Sequence, residues 1–87
     1  MPYIKSDARR IYDLPLQTII KRLKEGGNNP GEVNYCLSTI IWHLFDGLPS
    51  YSTANSLLGV LSAVEQEFYR RRVMPYEDKK IIENGDL

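Results

Sequence analysis

One cysteine, one histidine and one tryptophan occur among the 87 residues. A lone Cys36 rules out an internal disulfide framework and any zinc site built from several cysteines, and it points to a thiol-reducing, cytoplasmic setting. No stretch approaches the ~20 apolar residues of a membrane span, and Met1-Pro2-Tyr3-Ile4-Lys5 lacks the apolar core of a secretion signal. No membrane partner is expected. HExxH, paired cysteines and EF-hand loops are all missing, so no metal is expected. Gly26-Gly27-Asn28-Asn29-Pro30-Gly31 joins helix to helix rather than strand to helix, which excludes a P-loop or dinucleotide fingerprint and leaves no expected cofactor.

Catalytic chemistry has little to draw on. His43 lies between Trp42 and Leu44, with Asp46 three residues on, and reads as a surface or interface histidine rather than a general base. Cys36 sits in a helical pattern without an activating neighbour and reads as a small, half-buried side chain. No catalytic residue is assigned, and the protein is expected not to be an enzyme.

Charge of one sign is also scarce where it matters. The totals balance at 11 Lys+Arg and 11 Asp+Glu, but residues 25–67 hold five carboxylates and no Lys or Arg. Charge argues against a helix-turn-helix with residues from Ser50 onward as recognition helix, because the second helix, the turn and most of the third lie in this stretch without Lys or Arg, and only basic groups converging from the two ends could neutralise phosphates. Nucleic acid is not an expected partner.

What is present is helical periodicity. Ser6 through Tyr12 begins with an N-cap type residue and predicts a short helical turn. Pro15 fits the first position of a helix with Leu16, Ile19, Ile20 and Leu23 on one side, ended by Gly26-Gly27. Asn28-Asn29-Pro30-Gly31 reads as a loop. A second helix is predicted from about Glu32 to Asp46 with Val33, Leu37, Ile40, Ile41 and Leu44 on one stripe. Either Ser50 or Ser52 can cap a third helix that runs to about Val73, where Pro75 interrupts it. Its stripe is Leu57, Val60, Leu61, Val64 and Phe68. Tyr76 to Glu83 predicts a last helix closed by Asn84-Gly85. The fold class is all-α, a small bundle of three main helices plus short terminal helical pieces, in a single helical domain over residues 1–87.

Two helices carry second faces. Tyr35 and Trp42 project nearly opposite the Leu37 stripe, and Gly59, Ser62, Gln66, Tyr69 and Val73 form a small-residue face on the third helix. Intramolecular packing, burial in a homo-oligomer and a ligand-facing aromatic platform are the three ways to use them. A chain of this mass buries only about 60–65% of its unfolded surface, so assistance from a partner chain is physically reasonable. Arg70-Arg71-Arg72 point in three directions, with Arg71 closest to the apolar stripe. Glu67 can pair with Arg71 at i, i+4, while the alternative is an anion site in which guanidinium forks hold phosphate beside Tyr69 or Tyr76.

The segment Phe68-Tyr69-Arg70-Arg71-Arg72-Val73-Met74-Pro75-Tyr76-Glu77-Asp78-Lys79-Lys80-Ile81 is followed by Glu83-Asn84-Gly85-Asp86. With Met1-Pro2-Tyr3-Ile4, Asn34-Tyr35, Tyr51 and Gly59-Val60-Leu61, it resembles a family of short uncharacterised all-helical proteins of prokaryotic and phage genomes. Arg72 stands where such relatives carry an aliphatic residue, and the chain stops at Leu87 where they continue with an aromatic. The resemblance implies an all-helical fold and brings no activity with it. It directs attention to Asn34, Tyr35, Tyr69, Arg70, Arg71, Tyr76, Glu77, Asp78 and Asp86. Tyr35, Tyr69, Arg70, Arg71 and Tyr76 are the expected ligand-binding set, and Glu67, Arg71, Glu77 and Asp78 the expected structural ion pairs, with the last two carboxylates meeting arginines of the third helix. The expected function is a non-enzymatic homo-oligomer that binds a nucleotide-derived or other anionic ligand; the alternative is an adaptor or inhibitor acting on a host protein.

Overall fold

A computed structural model describes residues 4–87; the Met1-Pro2-Tyr3 part of the shared N-terminal stretch lies outside the described residues. The all-α expectation holds: among the described residues there is no strand. A 3-10 turn (Ser6–Arg9) leads into α1 (Arg10–Glu25), and α2 (Pro30–Gly47) and α3 (Tyr51–Phe68) follow. A π-turn (Tyr69–Val73) then joins α3 to α4 (Met74–Asn84). The chain divides into two compact units, Met1–Ser50 and Tyr51–Leu87.

In the first unit, Ser6 opens the 3-10 turn instead of capping it, because Lys5 occupies the cap position and no side chain caps the turn. The Lys5 carbonyl accepts from Ala8 N–H at 3.0 Å, and Arg9 Nε donates to the Ile4 carbonyl at 3.2 Å. Pro15 lies inside α1, not at its start. The helical run begins earlier than a proline rule suggests, and this close to the N-terminus proline forfeits only the bond its N–H would make to Ile11. At the other end Gly27 N–H donates to Lys24 O at 3.0 Å and Asn28 N–H to Leu23 O at 2.9 Å, a Schellman closure. It requires left-handed backbone at Gly27 (φ 76°), and Asn28 follows with φ 58°.

The loop expected at residues 28–31 is half cap. Asn29 Oδ1 accepts from Gly31 N–H at 2.8 Å and Glu32 N–H at 3.3 Å, and Pro30 takes the first helical position, where its missing donor costs nothing. α2 therefore starts two residues before Glu32.

In the second unit, α3 begins directly after Ser50, matching the first of the two proposed cap positions. Pro75 does not interrupt the helix: the backbone is helical from residue 51 to residue 84. The ladder widens instead, with Met74 N–H donating to Tyr69 O five residues back. In an unbroken α-helix the Arg71 carbonyl would face the N–H that proline lacks; here it accepts from Arg72 Nη1 at 3.0 Å. The π-turn thus absorbs the proline, and Arg72 serves the backbone. α4 ends at Gly85, φ 84°, whose N–H donates to Ile81 O at 2.8 Å.

No described residue is buried. Of the apolar stripe on α3, Val60, Leu61, Val64 and Phe68 are 52, 42, 59 and 60% exposed, and Leu57 is half-buried.

Candidate functional site

The residues singled out near the C-terminus are set by one feature, the π-turn. Glu67, on the last turn of α3, gathers two arginines. Arg70 Nη2 lies 3.1 Å from both carboxylate oxygens, a fork made by one terminal nitrogen, and Arg71 Nη1 lies 3.8 Å from Oε2. The expected Glu67–Arg71 pair is present, but Arg70, three residues on, makes the closer contact. These groups are half exposed or more on the arginine side, so each pair contributes at most ~1 kcal/mol.

Glu77 does not meet an arginine. Its Oε1 accepts from Tyr69 Oη at 3.0 Å, across eight residues. Eight α-helical steps would leave the two positions about 80° apart, whereas the extra residue of the π-turn reduces the pair to seven effective steps and about 20°. The hydrogen bond and negative charge of Glu77 raise the Tyr69 phenol above its ordinary value, with a small addition from desolvation. Among the described residues Asp78 joins no ion pair either. It follows Glu77 by about 100° of helix rotation, which carries it off the line to Tyr69 and the arginines. The ion pairs expected from Glu77 and Asp78 to the third helix are thus replaced by the Tyr69–Glu77 clasp.

By the same count Tyr76 falls in line with Phe68 rather than Tyr69, so on one helix the two tyrosines do not make one platform. Lys80 Nζ sits 5.5 Å from the Tyr76 ring centroid and 3.4 Å from Glu83 Oε1. The reading of the sequence missed Lys80; its i, i+4 spacing from Tyr76 was the available signal.

Tyr35 belongs to the first unit. There it lines an open cleft of about 500 Å³ with Arg22, Leu23, Asn29, Glu32 and Cys36. Cys36 is half-buried, as its pattern suggested. Asn34 bonds within its own helix, its Oδ1 accepting from Ser38 Oγ at 3.0 Å. His43 and Asp46 are both exposed, and no hydrogen bond joins them. Among the described residues no group of His, Cys, Asp and Glu could hold a metal ion, and no helix is long and apolar enough to cross a membrane.

These features define a small all-helical protein whose polar cluster is organised by a π-turn. A domain family of unknown function, DUF6899, matches residues 1–87, and the chain belongs to that family. No curated protein and no solved structure matches it.

Proposed function

We propose that the protein is a non-enzymatic homo-oligomer of the prokaryotic and phage kind, acting in the cytoplasm by binding an anionic, nucleotide-derived ligand. The observation that carries the reading is the absence of any buried side chain among the described residues. Neither unit encloses a core of its own, and association with a second copy would take its apolar faces out of water.

The ligand class follows from the Arg70–Arg72 run. The guanidinium groups of Arg70 and Arg71 share the single Glu67 carboxylate, with Arg72 adjoining in sequence, and Tyr69 and Tyr76 in the same unit are 51 and 60% exposed. Guanidinium forks suit phosphate and aromatic rings suit a base. Calorimetry of the oligomer against cyclic and linear nucleotides tests the reading. Saturable binding weakened by Arg70→Ala supports it, and no heat with any of them refutes it. An adaptor for a host protein is the second reading, favoured by the exposed Trp42 and Tyr35, at 67 and 71%.

A further inference from the structure

We infer that the cleft between the end of α1 and the start of α2 binds a small zwitterion, a molecule with an ammonium and a carboxylate on an apolar body, as an aromatic amino acid has. The inference stands apart from the nucleotide reading, because the cleft lies wholly in the first unit. Its volume of about 500 Å³ falls within the ~300–1,000 Å³ of small-molecule sites, which combine an apolar lining with a few polar groups that fix orientation. Half-buried Leu23 and Cys36 supply the apolar part here, and the ring of Tyr35, 71% exposed, supplies an aromatic face.

Unspent charge singles the cleft out. In the second unit Glu67 holds Arg70 and Arg71, Glu77 holds Tyr69, and Glu83 holds Lys80. Arg22 and Glu32 line one cleft with opposite charges, yet among the described residues neither side chain makes an ion pair or a hydrogen bond, with the other or with anything else. Their helices hold them apart. Arg22 stands in the last turn of α1 and Glu32 in the first turn of α2, and the Glu32 carboxylate lies against Gly26, four residues and about 6 Å of helical rise beyond Arg22. Opposite charges offset in this way beside an apolar surface match the two ends of a zwitterion. The Arg22 guanidinium takes the carboxylate as a fork, and Glu32 takes the ammonium, with the Tyr35 ring against the cation or the apolar body. Asn29 spends its Oδ1 on the α2 cap, which leaves its amide N–H groups available to the same carboxylate. A polyanion suits the cleft poorly, because Glu32 repels it.

NMR titration of the full chain with L-phenylalanine, phenethylamine and 3-phenylpropionate separates the two charges. L-Phenylalanine should shift the backbone resonances of Arg22, Glu32 and Tyr35 saturably at millimolar concentration, and should slow alkylation of Cys36 by iodoacetamide. Each single-charge analogue should bind about tenfold more weakly, the loss of one charge-assisted hydrogen bond. Arg22→Gln should weaken L-phenylalanine to the level of phenethylamine and leave phenethylamine unchanged. Glu32→Gln should weaken it to the level of 3-phenylpropionate and leave that ligand unchanged. A variant that merely loosens the α1–α2 turn gives no such crossed pattern, since it weakens all three ligands alike. The absence of a saturable shift with L-phenylalanine, equal affinity for the three ligands, or a uniform loss in both variants overturns the inference, and none of these results bears on nucleotide binding by the second unit.

Discussion

The Tyr69–Glu77 clasp depends on the π-turn, and the π-turn depends on Pro75. Replacing Pro75 with alanine restores the N–H that the α-register would send to the Arg71 carbonyl, so the ordinary ladder can close from α3 into α4. The extra residue of the turn is then lost to regular winding, and Glu77 rotates by about 100° relative to Tyr69. On a helix of side-chain radius ~5–6 Å, the resulting 80° offset displaces the two groups sideways by about 7 Å. The present bond is 3.0 Å long, so it cannot survive that displacement.

Tyrosine titration followed by NMR of ring-labelled protein reads the result directly. In the wild type Tyr69 titrates above the ordinary value near 10, because Glu77 accepts its proton bond and opposes its ionisation. Glu77→Gln should lower it by removing the charge, and Pro75→Ala should lower it without altering either titrating partner. The sign for stability follows: a phenol raised in the folded state stabilises below its unfolded value, and that contribution disappears as pH rises through the folded one. Helical circular dichroism should hold or rise in Pro75→Ala, since alanine is the better helix former. A Pro75→Ala protein whose Tyr69 stays raised, and falls only on adding Glu77→Gln, refutes the proposed coupling between proline, π-turn and clasp.

Asn29→Ala removes the acceptor for two backbone donors of α2 and should cost ~1 kcal/mol in denaturant melts, with Asn29→Asp retaining most of it. The two glycines closing α1 should behave oppositely. A methyl at Gly26 meets only the mobile end of the Glu32 side chain and should be tolerated, whereas Gly27→Ala forces an L-residue to φ 76° and should cost about 1 kcal/mol, both read by thermal melts. If burial is completed by association, the melting midpoint should climb as protein concentration is raised tenfold, and a midpoint independent of concentration contradicts it.

The elements most legible in the sequence were those closed by local chemistry. Gly26-Gly27 and Asn84-Gly85 ended helices where expected, since only glycine takes the left-handed backbone at Gly27 and Gly85 cheaply. Proline misled in both directions. Pro15 looked like a start and Pro75 like a stop, yet each sits in helical backbone, because whether a missing donor matters depends on the neighbouring ladder. Asn29-Pro30 carried a readable cap and first-turn signal that the glycine-rich surroundings obscured. The Glu67–Arg71 pair was visible as an i, i+4 spacing. The Tyr69–Glu77 bond was not, since eight residues match no regular helical repeat until a residue is inserted.

The charge pattern gains meaning from this register. Helices that lack Lys and Arg are poor surfaces for phosphate but good ones for a second identical chain, and the arginines begin only after the apolar stripe ends at Phe68. Tyr51, at the start of α3, is 92% exposed, the most open aromatic ring of the second unit. In an oligomer that brings this ring beside a partner's guanidinium groups, it supplies what a single helix does not: a base-stacking surface adjoining phosphate donors. Tyr51→Ala should then weaken nucleotide binding in calorimetry while leaving the oligomer intact by sedimentation, and an unchanged affinity contradicts that role.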